Sequence, residues 1–335
     1  MENRSRFTGR AWKGEWQWDW TLGQHRLTGG LEYQANVSQE MHNDDIYPVY
    51  HPSFHYEARD HYRAAYLQDE YTLNDKISFS AGLRYDDYDG LGSTVNPRLA
   101  VIYRPNKDLS IKGVMARAFR APSVFEKYYE DGYLLKRNPS GLDAETIQAY
   151  EVIFEYRMNP WMRGELSLYN YEIKDLVEFN SDPVDNIPFY DNLGHAKTRG
   201  VEFQVQKHWE NGTEMRLGYA WQDVRDQDDN IRLSGSPPHL LKWRGSYPLS
   251  ENWRLAGEMR YVASSYSHHD SNVRLPAYTL TDITLSGNVD EHWQLGLSLY
   301  NVFDKKYFYP LSSDFPIDRY AGEGRTLRLK VDYQF

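Results

Sequence analysis

The last ten residues, TLRLKVDYQF (326–335), alternate apolar and polar side chains without a break up to the final residue. Successive side chains of a β-strand point to opposite faces of the sheet. One face of this segment would carry Leu327, Leu329, Val331, Tyr333 and Phe335. Because chain termini are usually frayed and polar, this unbroken apolar face predicts a terminal strand with a function of its own.

The same alternation recurs about fifteen times along the chain, and most of the segments are near the ~9–11 residues that a tilted strand needs to cross a bilayer. No comparable stretch has helical periodicity, and no apolar run approaches the ~20 residues of a membrane-spanning helix. We therefore predict an all-β, antiparallel fold of about 14 to 15 strands. Clear examples of the alternation are residues 27–33, 77–85, 150–156, 201–205, 215–221, 253–261 and 293–299.

The aromatic content is high, with 28 Tyr, 10 Trp and 13 Phe, whereas the mean hydropathy is low. A transmembrane β-barrel reconciles the two observations, because only every second residue of each strand must be apolar and aromatic rings collect at both membrane interfaces. The composition therefore favours a chain that spans a membrane with strands.

The links between the alternating segments also alternate in length. Short polar turns are predicted at 21–24, 73–76, 104–108, 158–160, 210–212, 249–252 and 289–292. Longer links are predicted at 38–58, 120–145, 181–195, 226–236, 265–276 and 303–322. Short periplasmic turns and long extracellular loops are typical of outer-membrane barrels. A β-propeller would instead show a repeat of ~40–50 residues, and a soluble sandwich has no reason to sort its loops by length.

A periplasmic C-terminus would place the 303–322 link and the other long links outside the cell. The first segment, near residues 6–20, would then run inward from the cell surface. Because single-chain bacterial barrels have an even number of strands, the odd count leads us to expect a chain that begins partway round a barrel wall. The absence of a secretory signal in the first residues fits that expectation.

Several functional classes are disfavoured. The chain has no Cys, which removes disulfides, zinc–thiolate sites and cysteine nucleophiles, and its net charge of −10 argues against nucleic-acid binding. No G-x-S-x-G elbow, H-E-x-x-H helix or phosphate-binding glycine loop is present, so we expect no enzyme, although a barrel protease or lipase stays a minor alternative. A passive porin or adhesin shares every physical feature described so far.

Histidines and carboxylates cluster in places, without a metal-binding pattern. His42, His51, His55 and His61 lie in or beside the 38–58 link, and His268 and His269 lie in another. A spacing of four suits metal binding only on a helix, so solvated histidines are the better interpretation. The acidic runs at 86–90 and 223–229 do not match the spaced pattern of a calcium-binding loop, and polar turn chemistry explains them better. We predict no metal site and no cofactor.

Six stretches resemble the C-terminal barrel portion of TonB-dependent outer-membrane receptors, and together they cover nearly the whole chain. One of them, 96–128, contains the box FRAPS (119–123), which is similar to the FRAP box of that family. The others are 65–86, 142–156, 191–205, 299–307 and 322–335.

The resemblance implies that residues 1–335 are the C-terminal part of a 22-stranded barrel that holds an N-terminal plug, with the plug and the energy-coupling segment absent here. It implies an outer-membrane receptor for a scarce nutrient, a ferric siderophore or another iron chelate, with cobalamin or haem as alternatives. The implied partners are outer-membrane lipid and lipopolysaccharide, the TonB complex, the barrel-assembly machinery and the ferric chelate.

The resemblance also assigns roles to residues. Phe119 and Arg120 would line a ligand vestibule where a strand enters a long loop, although Pro122 favours a merely structural end of the strand. Residues 121–138 contain no histidine, so the haem signature expected there is lacking. Tyr333 and Phe335 would form the tag read by the barrel-assembly machinery. The candidate ligand-binding residues are Phe119, Arg120, Tyr128, Tyr129, His51, His55, His268 and His269.

Overall fold

The computed structural model describes residues 2–47, 51–131, 135–228, 230–267, 273–311 and 317–335. Its first half contains β1 (Glu2–Leu22), β2 (His25–Tyr47), β3 (His51–Asn74), β4 (Ile77–Tyr88), β5 (Gly92–Asn106), β6 (Leu109–Arg120), α1 (Val124–Tyr128), β7 (Glu145–Asn159) and β8 (Met162–Ser181). Its second half contains β9 (Pro188–His208), β10 (Glu214–Asp226), β11 (His239–Pro248), β12 (Trp253–Val262), β13 (Ser265–Tyr266), β14 (Arg274–Leu275), β15 (Tyr278–Asn288), β16 (Trp293–Tyr300), β17 (Phe308–Pro310), β18 (Arg319–Ala321) and β19 (Thr326–Tyr333).

Within the described residues, fifteen strands form one sheet in the order β1 to β12, then β15, β16 and β19. Each strand pairs with the next long strand along the chain, and the pairs from β1 to β5 and from β10 to β19 are antiparallel. Two small hairpins, β13–β14 and β17–β18, lie in long links. The predicted all-β, antiparallel fold and strand number are confirmed. No helix in the described ranges is long and apolar enough to cross a membrane.

The predicted short turns are confirmed, and the same side-chain device closes three of them. Asn74, Asn106 and Asp290 each accept hydrogen bonds from the backbone N–H groups two and three residues further on, at 2.8 to 3.0 Å. Such a side chain mimics a backbone turn. Gly23 and Gly212 supply the positive φ, 61° and 79°, that two other turns require. Local turn chemistry therefore sets the short ends of the strands.

The irregular link predicted at 38–58 is wrong, because β2 continues to Tyr47 and β3 begins at His51. The register between β2 and its two neighbours shifts around Val37, since Asn36 pairs with Ala11 while Ser38 pairs with Arg10. One extra residue in a strand moves every later side chain to the opposite face. The bulge breaks the alternation in the sequence. For this reason the paired ends of β2 and β3 resembled a loop.

Two other long links are also shorter or more ordered than predicted. The 181–195 link ends where β9 begins, at Pro188. The 120–145 link contains helix α1, although the sequence pattern indicated no helix. A single turn of five residues is too short to give a helical period.

Tertiary contacts divide the chain into two compact units. The first unit comprises Met1–Tyr103, Gly113–Tyr150 and Tyr171–Lys197. The second unit comprises Arg104–Lys112, Glu151–Asn170 and Thr198–Phe335. The treatment of residues 1–335 as one C-terminal barrel portion is not decided by this division and stays a prediction.

In the second unit, the strand register sorts apolar and polar side chains onto opposite faces. One row of directly paired residues across five strands is apolar, namely Tyr247, Leu255, Leu285, Leu297 and Leu329. The neighbouring position of each strand belongs to the other face, where Ser298 accepts a hydrogen bond from the Thr284 hydroxyl at 2.9 Å. Leu297 and Leu329 are 45% and 67% exposed. An exposed apolar row beside a polar face is the pattern of a barrel wall in lipid.

The first unit has the same two faces. Trp12, Trp16 and Trp20 alternate along one face of β1 and are more than half exposed. On the other face, Glu32 and Asp86 are buried and both bind the Arg84 guanidinium at 2.8 Å. Buried charges that are paired in this way satisfy one another without water. The polar face of the first unit is therefore held by ion pairs rather than by an apolar core.

Candidate functional site

The link between β6 and β7 starts with a tightly specified turn. Pro122 follows the end of β6 and cannot donate a ladder hydrogen bond. Ser123 then caps α1: its hydroxyl accepts from the N–H of Glu126 at 3.2 Å, and the Glu126 carboxylate accepts from the N–H of Ser123 at 2.6 Å. This reciprocal pair is a capping box, and it fixes the direction in which the helix leaves the strand.

Arg120, the last residue of β6, holds that helix in place. Its guanidinium donates two hydrogen bonds of 2.5 Å to Glu145 at the start of β7, and donates to Glu126 at 3.0 and 3.1 Å. Glu145 also accepts from the N–H of Val177 in β8 at 2.9 Å. We call Arg120, Glu126 and Glu145 the arginine hub. It joins three strands and the helix, so Arg120 is committed to protein carboxylates.

The charge state of the hub follows from its contacts. Partial burial alone would raise the pKa of Glu126, but hydrogen bonds from Arg120 and Ser123 outweigh burial and hold that pKa below its usual value. Glu126 is therefore ionised at neutral pH, and the bidentate geometry at Glu145 is the strong form of an arginine–carboxylate pair.

The helix presents aromatic rings to the walls formed by β1, β2 and β3. Tyr128 stacks on Tyr56 with ring centroids 4.7 Å apart, and Tyr129 meets Phe54 edge-on at 5.0 Å. The Asn43 side-chain amide donates a hydrogen bond to the Tyr129 hydroxyl. Among the described residues, the rings in contact are called the aromatic cluster from here on; they are Phe7, Phe54, Tyr56, Phe125, Tyr128, Tyr129, Phe179 and Tyr190.

Phe125 is the centre of the aromatic cluster. Its ring stacks on Tyr129 at 4.5 Å and meets Phe7 and Tyr190 edge-on at 6.1 and 6.2 Å. Phe179 extends the set by stacking on Tyr190 at 4.5 Å. Offset and edge-on pairs at such distances are favourable beyond simple burial, so the cluster is a preformed aromatic surface.

Two cations lie beside this surface. The Arg137 guanidinium is 4.9 Å from the centre of the Tyr128 ring, and the Lys127 ammonium is 5.2 Å from it. Arg137 is exposed. A cation within about 6 Å of a ring face is attracted by its quadrupole. The arrangement therefore places two positive charges beside a cluster of aromatic rings.

The far end of the link is tied down separately. The Lys136 ammonium binds Asp182 and, at 3.1 Å, Asp185, both in the link after β8. The hydrogen bond from Lys136 holds the pKa of Asp182 below its usual value. Asn138, which is buried, donates to the Tyr190 carbonyl at 2.9 Å and to Asp191 at 3.1 Å. These contacts place Arg137, between Lys136 and Asn138, on a fixed stretch of backbone.

The predicted candidates separate into five groups. Tyr128 and Tyr129 belong to the aromatic cluster, and Phe119 lies outside it, edge-on to Tyr88 at 5.5 Å. Arg120 is the centre of the arginine hub, which agrees with a structural role for the FRAPS box. His55 lies on the face of β3 opposite to Phe54 and Tyr56 and contacts His42. The side chain of His51 and the whole of His268 and His269 lie outside the described residues.

The C-terminal candidates are close together. The ring of Tyr333 meets that of Phe335 edge-on at 5.0 Å and lies 4.8 Å from that of Trp293 in β16. Phe335 is fully exposed. A role of these two residues as an assembly tag stays a prediction.

Sequence reasoning missed most of the site. Phe7, Phe54, Phe179 and Tyr190 come from four separate strands, and Arg137 was not singled out. The available signal was the richness of Tyr and Phe at predicted strand ends, but only the register shows which of those rings meet.

Most of the buried carboxylates in the described parts of the acidic runs are engaged in ion pairs. Asp86 is bound by Arg84, Asp87 by Arg63 at 2.7 Å, and Asp89 by His61 at 3.3 Å. In the second run, Asp223 is bound by three guanidinium groups, those of Arg199, Arg225 and Arg232. Within the described parts of the chain, no group of three or more His, Asp or Glu side chains is arranged to hold a metal ion. The carboxylates serve ion pairs.

The second unit contains an open cavity of about 550 Å³ near the turns after β5 and β7. Its lining is largely charged and includes Arg104, Lys112, Glu155, Arg157 and Arg163. Lys112 and Glu155 pair across it at 2.6 Å. Leu109 and Tyr156 are the main apolar part of the lining, whereas small-molecule sites are lined predominantly by hydrophobic and aromatic side chains. The aromatic cluster of the first unit is therefore the better candidate.

Comparison with known proteins agrees with this architecture. Residues 1–302 match the family described as TonB dependent receptor-like, beta-barrel. The vitamin B12 transporter BtuB of Vibrio vulnificus (strain YJ016) is 26% identical over 82% of this chain and 42% of its own length. The ferric enterobactin receptor of Pseudomonas aeruginosa (strain PAO1) is 22% identical over 72% of this chain and 37% of its own length.

Solved structures show the same fold. The siderophore receptor PirA from Acinetobacter baumannii superimposes with a TM-score of 0.79 at 16% identity, over 99% of this chain and 55% of that one. The chain thus spans less than half the length of the two curated relatives and about half of the solved receptor. Proteins of this family are receptors and transporters with outer-membrane barrels. The chain belongs to the TonB-dependent receptor family and forms part of its β-barrel.

Proposed function

We propose that this chain forms the wall and ligand vestibule of an outer-membrane receptor that takes up an iron chelate, a ferric siderophore, with energy supplied through TonB to the full-length protein. The observation that carries the proposal is the aromatic cluster with Lys127 and Arg137 beside it. In this arrangement the C-terminus is periplasmic and the long links, including 121–144, are extracellular.

The chemistry of the ligand class suits the site. Ferric catecholates combine flat aromatic rings with a net negative charge. The exposed ring of Phe7 favours contact with another aromatic ring, and an exposed guanidinium favours an anion with delocalised charge. The arginine hub and the Lys136 contacts fix the link beforehand, and a preorganised site loses less entropy on binding.

The names of relatives support this proposal. One relative is a receptor for ferric enterobactin and one similar structure is a siderophore receptor. The substrate and partners of the whole protein are proposed here by that similarity: the TonB complex, the barrel-assembly machinery, and outer-membrane lipid with lipopolysaccharide. The proposal is for a receptor, without a catalytic role for any residue.

A cobalamin receptor is the second candidate, because the B12 transporter of Vibrio vulnificus is 26% identical to this chain. The two ligands differ in charge, since cyanocobalamin is neutral overall whereas a ferric tris-catecholate is a trianion. Binding of cobalamin should therefore depend little on Arg137. Haem is the weaker alternative, because residues 121–138 contain no histidine.

The test measures equilibrium binding of ferric enterobactin and, in a separate titration, of cyanocobalamin to the chain in detergent. Binding is detected as quenching of the intrinsic fluorescence of the chain. The variants are Tyr128→Ala and Arg137→Gln. Arg59→Gln is the matched control, because Arg59 is an exposed arginine of the same unit whose ion pair is with Glu57 in its own strand.

We expect ferric enterobactin to bind, and each of the two site variants to weaken binding by about tenfold or more, which is about 1.4 kcal/mol, with Arg59→Gln unchanged. Tight binding of cyanocobalamin that Arg137→Gln leaves unaltered would favour the cobalamin receptor. Binding of ferric enterobactin with equal affinity to all four proteins would overturn the assignment of this site.

A further inference from the structure

The distal ends of β2 and β3 bring two histidines directly opposite one another. His42 pairs with His55 in the strand register. The two Nδ1 atoms are 3.1 Å apart, and the ring centroids are 4.1 Å apart at an interplanar angle of 38°. Directly opposed residues of an antiparallel pair have Cβ atoms about 4.5–5.5 Å apart, so two imidazoles at such positions can reach a common point.

The pair is accessible and separate from the aromatic cluster. His55 is exposed and His42 is half-buried. Phe54 and Tyr56, the neighbours of His55 in β3, point to the opposite face and contact Tyr129 and Tyr128. The histidine pair is therefore independent of the proposed ligand vestibule.

The spacing of the two nitrogens matches that of a chelate. Nitrogen ligands lie about 2.0–2.1 Å from Zn²⁺, so two of them on one ion are about 2.9 Å apart at a right angle and about 3.3 Å apart at a tetrahedral angle. The observed 3.1 Å lies between these values. Without an ion, one Nδ1 must carry a proton and donate it to the other. With a bound ion, both Nδ1 atoms can be unprotonated and both rings neutral, which is the form of imidazole that binds metal.

The neighbouring residues on the same face carry charges of both signs. Glu40 and Glu57 form the next pair along that face, and Arg6 is paired with His42 from β1. Glu57 binds Arg59 at 2.9 Å. The surroundings thus include two carboxylates and two guanidinium groups, so attraction to the ion must come mainly from the imidazoles.

We propose that His42 and His55 form a two-histidine site for a divalent late transition metal, with water completing the coordination. Imidazole ligands suit Cu²⁺, Ni²⁺ and Zn²⁺, and the order of affinity places Cu²⁺ first. The described residues provide no third ligand, so the site differs from a closed structural zinc centre. A bound ion cross-links the ends of β2 and β3.

The test uses the tag-free chain in detergent, titrated with CuCl₂ and with ZnCl₂ by calorimetry. His42→Gln and His55→Gln remove one ligand each. His61→Gln is the matched control, because His61 lies in the same strand but is paired with Asp89 instead of a second histidine. Loss of an outer-shell group that supports a ligand costs about 10–100-fold in metal affinity. Loss of a ligand itself should cost at least as much.

A second readout is spectroscopic and identifies the ligand atoms directly. The electron paramagnetic resonance spectrum of the chain with one equivalent of Cu²⁺ should show hyperfine splitting from two nitrogens, and His55→Gln should remove the contribution of one. We expect weaker binding in both site variants, unchanged binding in His61→Gln, and a two-nitrogen spectrum in the wild type. Equal affinity of all four proteins, or a spectrum without two nitrogens, would overturn the site.

Discussion

Antiparallel pairing gives different results in two regions of the molecule. The first region is the set of strands from β11 to β19, and the second is the pair of ends of β2 and β3 that meet near Tyr47 and His51. In the former, the register runs without a shift, so that Leu255, Leu285 and Leu297 stay on one face. In β2, the bulge at Val37 moves every later side chain to the other face. The comparison teaches that regular register makes a wall, whereas a single extra residue allows the same strand to present a different set of side chains at its end.

The bulge has a direct consequence for the site. Leu31 and Tyr33, before the bulge, are on the exposed apolar face of β2. Met41 and Asn43, which have the same odd parity, are buried after it and lie towards α1. If the same residues formed a regular strand with no bulge, the earlier parity would continue and His42 would lie on the inner face. The bulge thus sets both which side chains meet the aromatic cluster and which pair of histidines faces outward.

The largest expected effect concerns the regular wall. Replacing Leu297 with Arg should destabilise the folded chain by roughly 2–4 kcal/mol if the residue lies at the bilayer midplane. Ser298→Arg is the matched control, because Ser298 lies on the polar face beside Thr284, and it should cost much less. The free energy of unfolding in lipid vesicles measures both. Equal costs would contradict the assignment of the two faces.

The second prediction concerns the irregular region. Deleting Val37 should remove the bulge and leave a regular strand with the same partners on both sides of the deletion, because the two residues that flank Val37 already pair with consecutive residues of β1. Asn43→Ala instead removes the amide that binds the Tyr129 hydroxyl, at a cost of roughly 1–3 kcal/mol for the disrupted polar contact. Trypsin should therefore cut faster after Lys127 and Arg137 in Asn43→Ala and at the wild-type rate in the Val37 deletion. Equal cleavage of the two variants would contradict this register.

The turns and the bulge show how far sequence could predict this molecule. Asn74 and Asp290 carry their turn geometry in their own side chains, so the short links were predicted correctly. Alternation also predicted which side chains of β16 and β19 share a face, because no bulge interrupts the alternation in these strands. The site was not predictable in the same way, since the contact of the Asn43 amide with Tyr129 depends on the bulge that precedes Asn43 in β2. The role of Arg120 depends on Glu145, which is far from it in sequence.

The third prediction concerns the arginine hub. Arg120→Lys keeps the charge but loses the planar fork that binds two carboxylates, and should destabilise the link by roughly 1 kcal/mol, since the side chain is half exposed and solvent screens the pair. Trypsin cleavage after Arg137 should rise several-fold, because a destabilisation of that size raises the population of the locally unfolded link by about that factor. Arg59→Lys, an exposed pair within one strand, should have no effect. Equal cleavage of both variants would show that the arginine hub does not stabilise the link.

The smallest effect is a dependence on pH. Because the folded pKa of Glu126 is below its ordinary value of 4.5, its contribution to stability is fully present above that value and is lost as the pH falls through the lowered folded pKa. Hydrogen exchange of the amides of 124–129, corrected for intrinsic rates, should therefore accelerate in acid. Glu126→Gln should abolish most of this dependence, and an unchanged profile in that variant would exclude Glu126 as its source.

The central claim is that the strands form a wall with lipid on one face and polar surroundings on the other. The chain contains no Cys, so a single introduced cysteine gives a unique site for a nitroxide label. Labels at residues 295, 297 and 329 and at residues 296, 298 and 330 should be compared in lipid vesicles, using lipid-soluble oxygen and a water-soluble nickel chelate as relaxing agents. We predict that oxygen relaxes the odd-numbered sites and the nickel chelate the even-numbered sites. Equal accessibility of both sets to both agents would contradict the account.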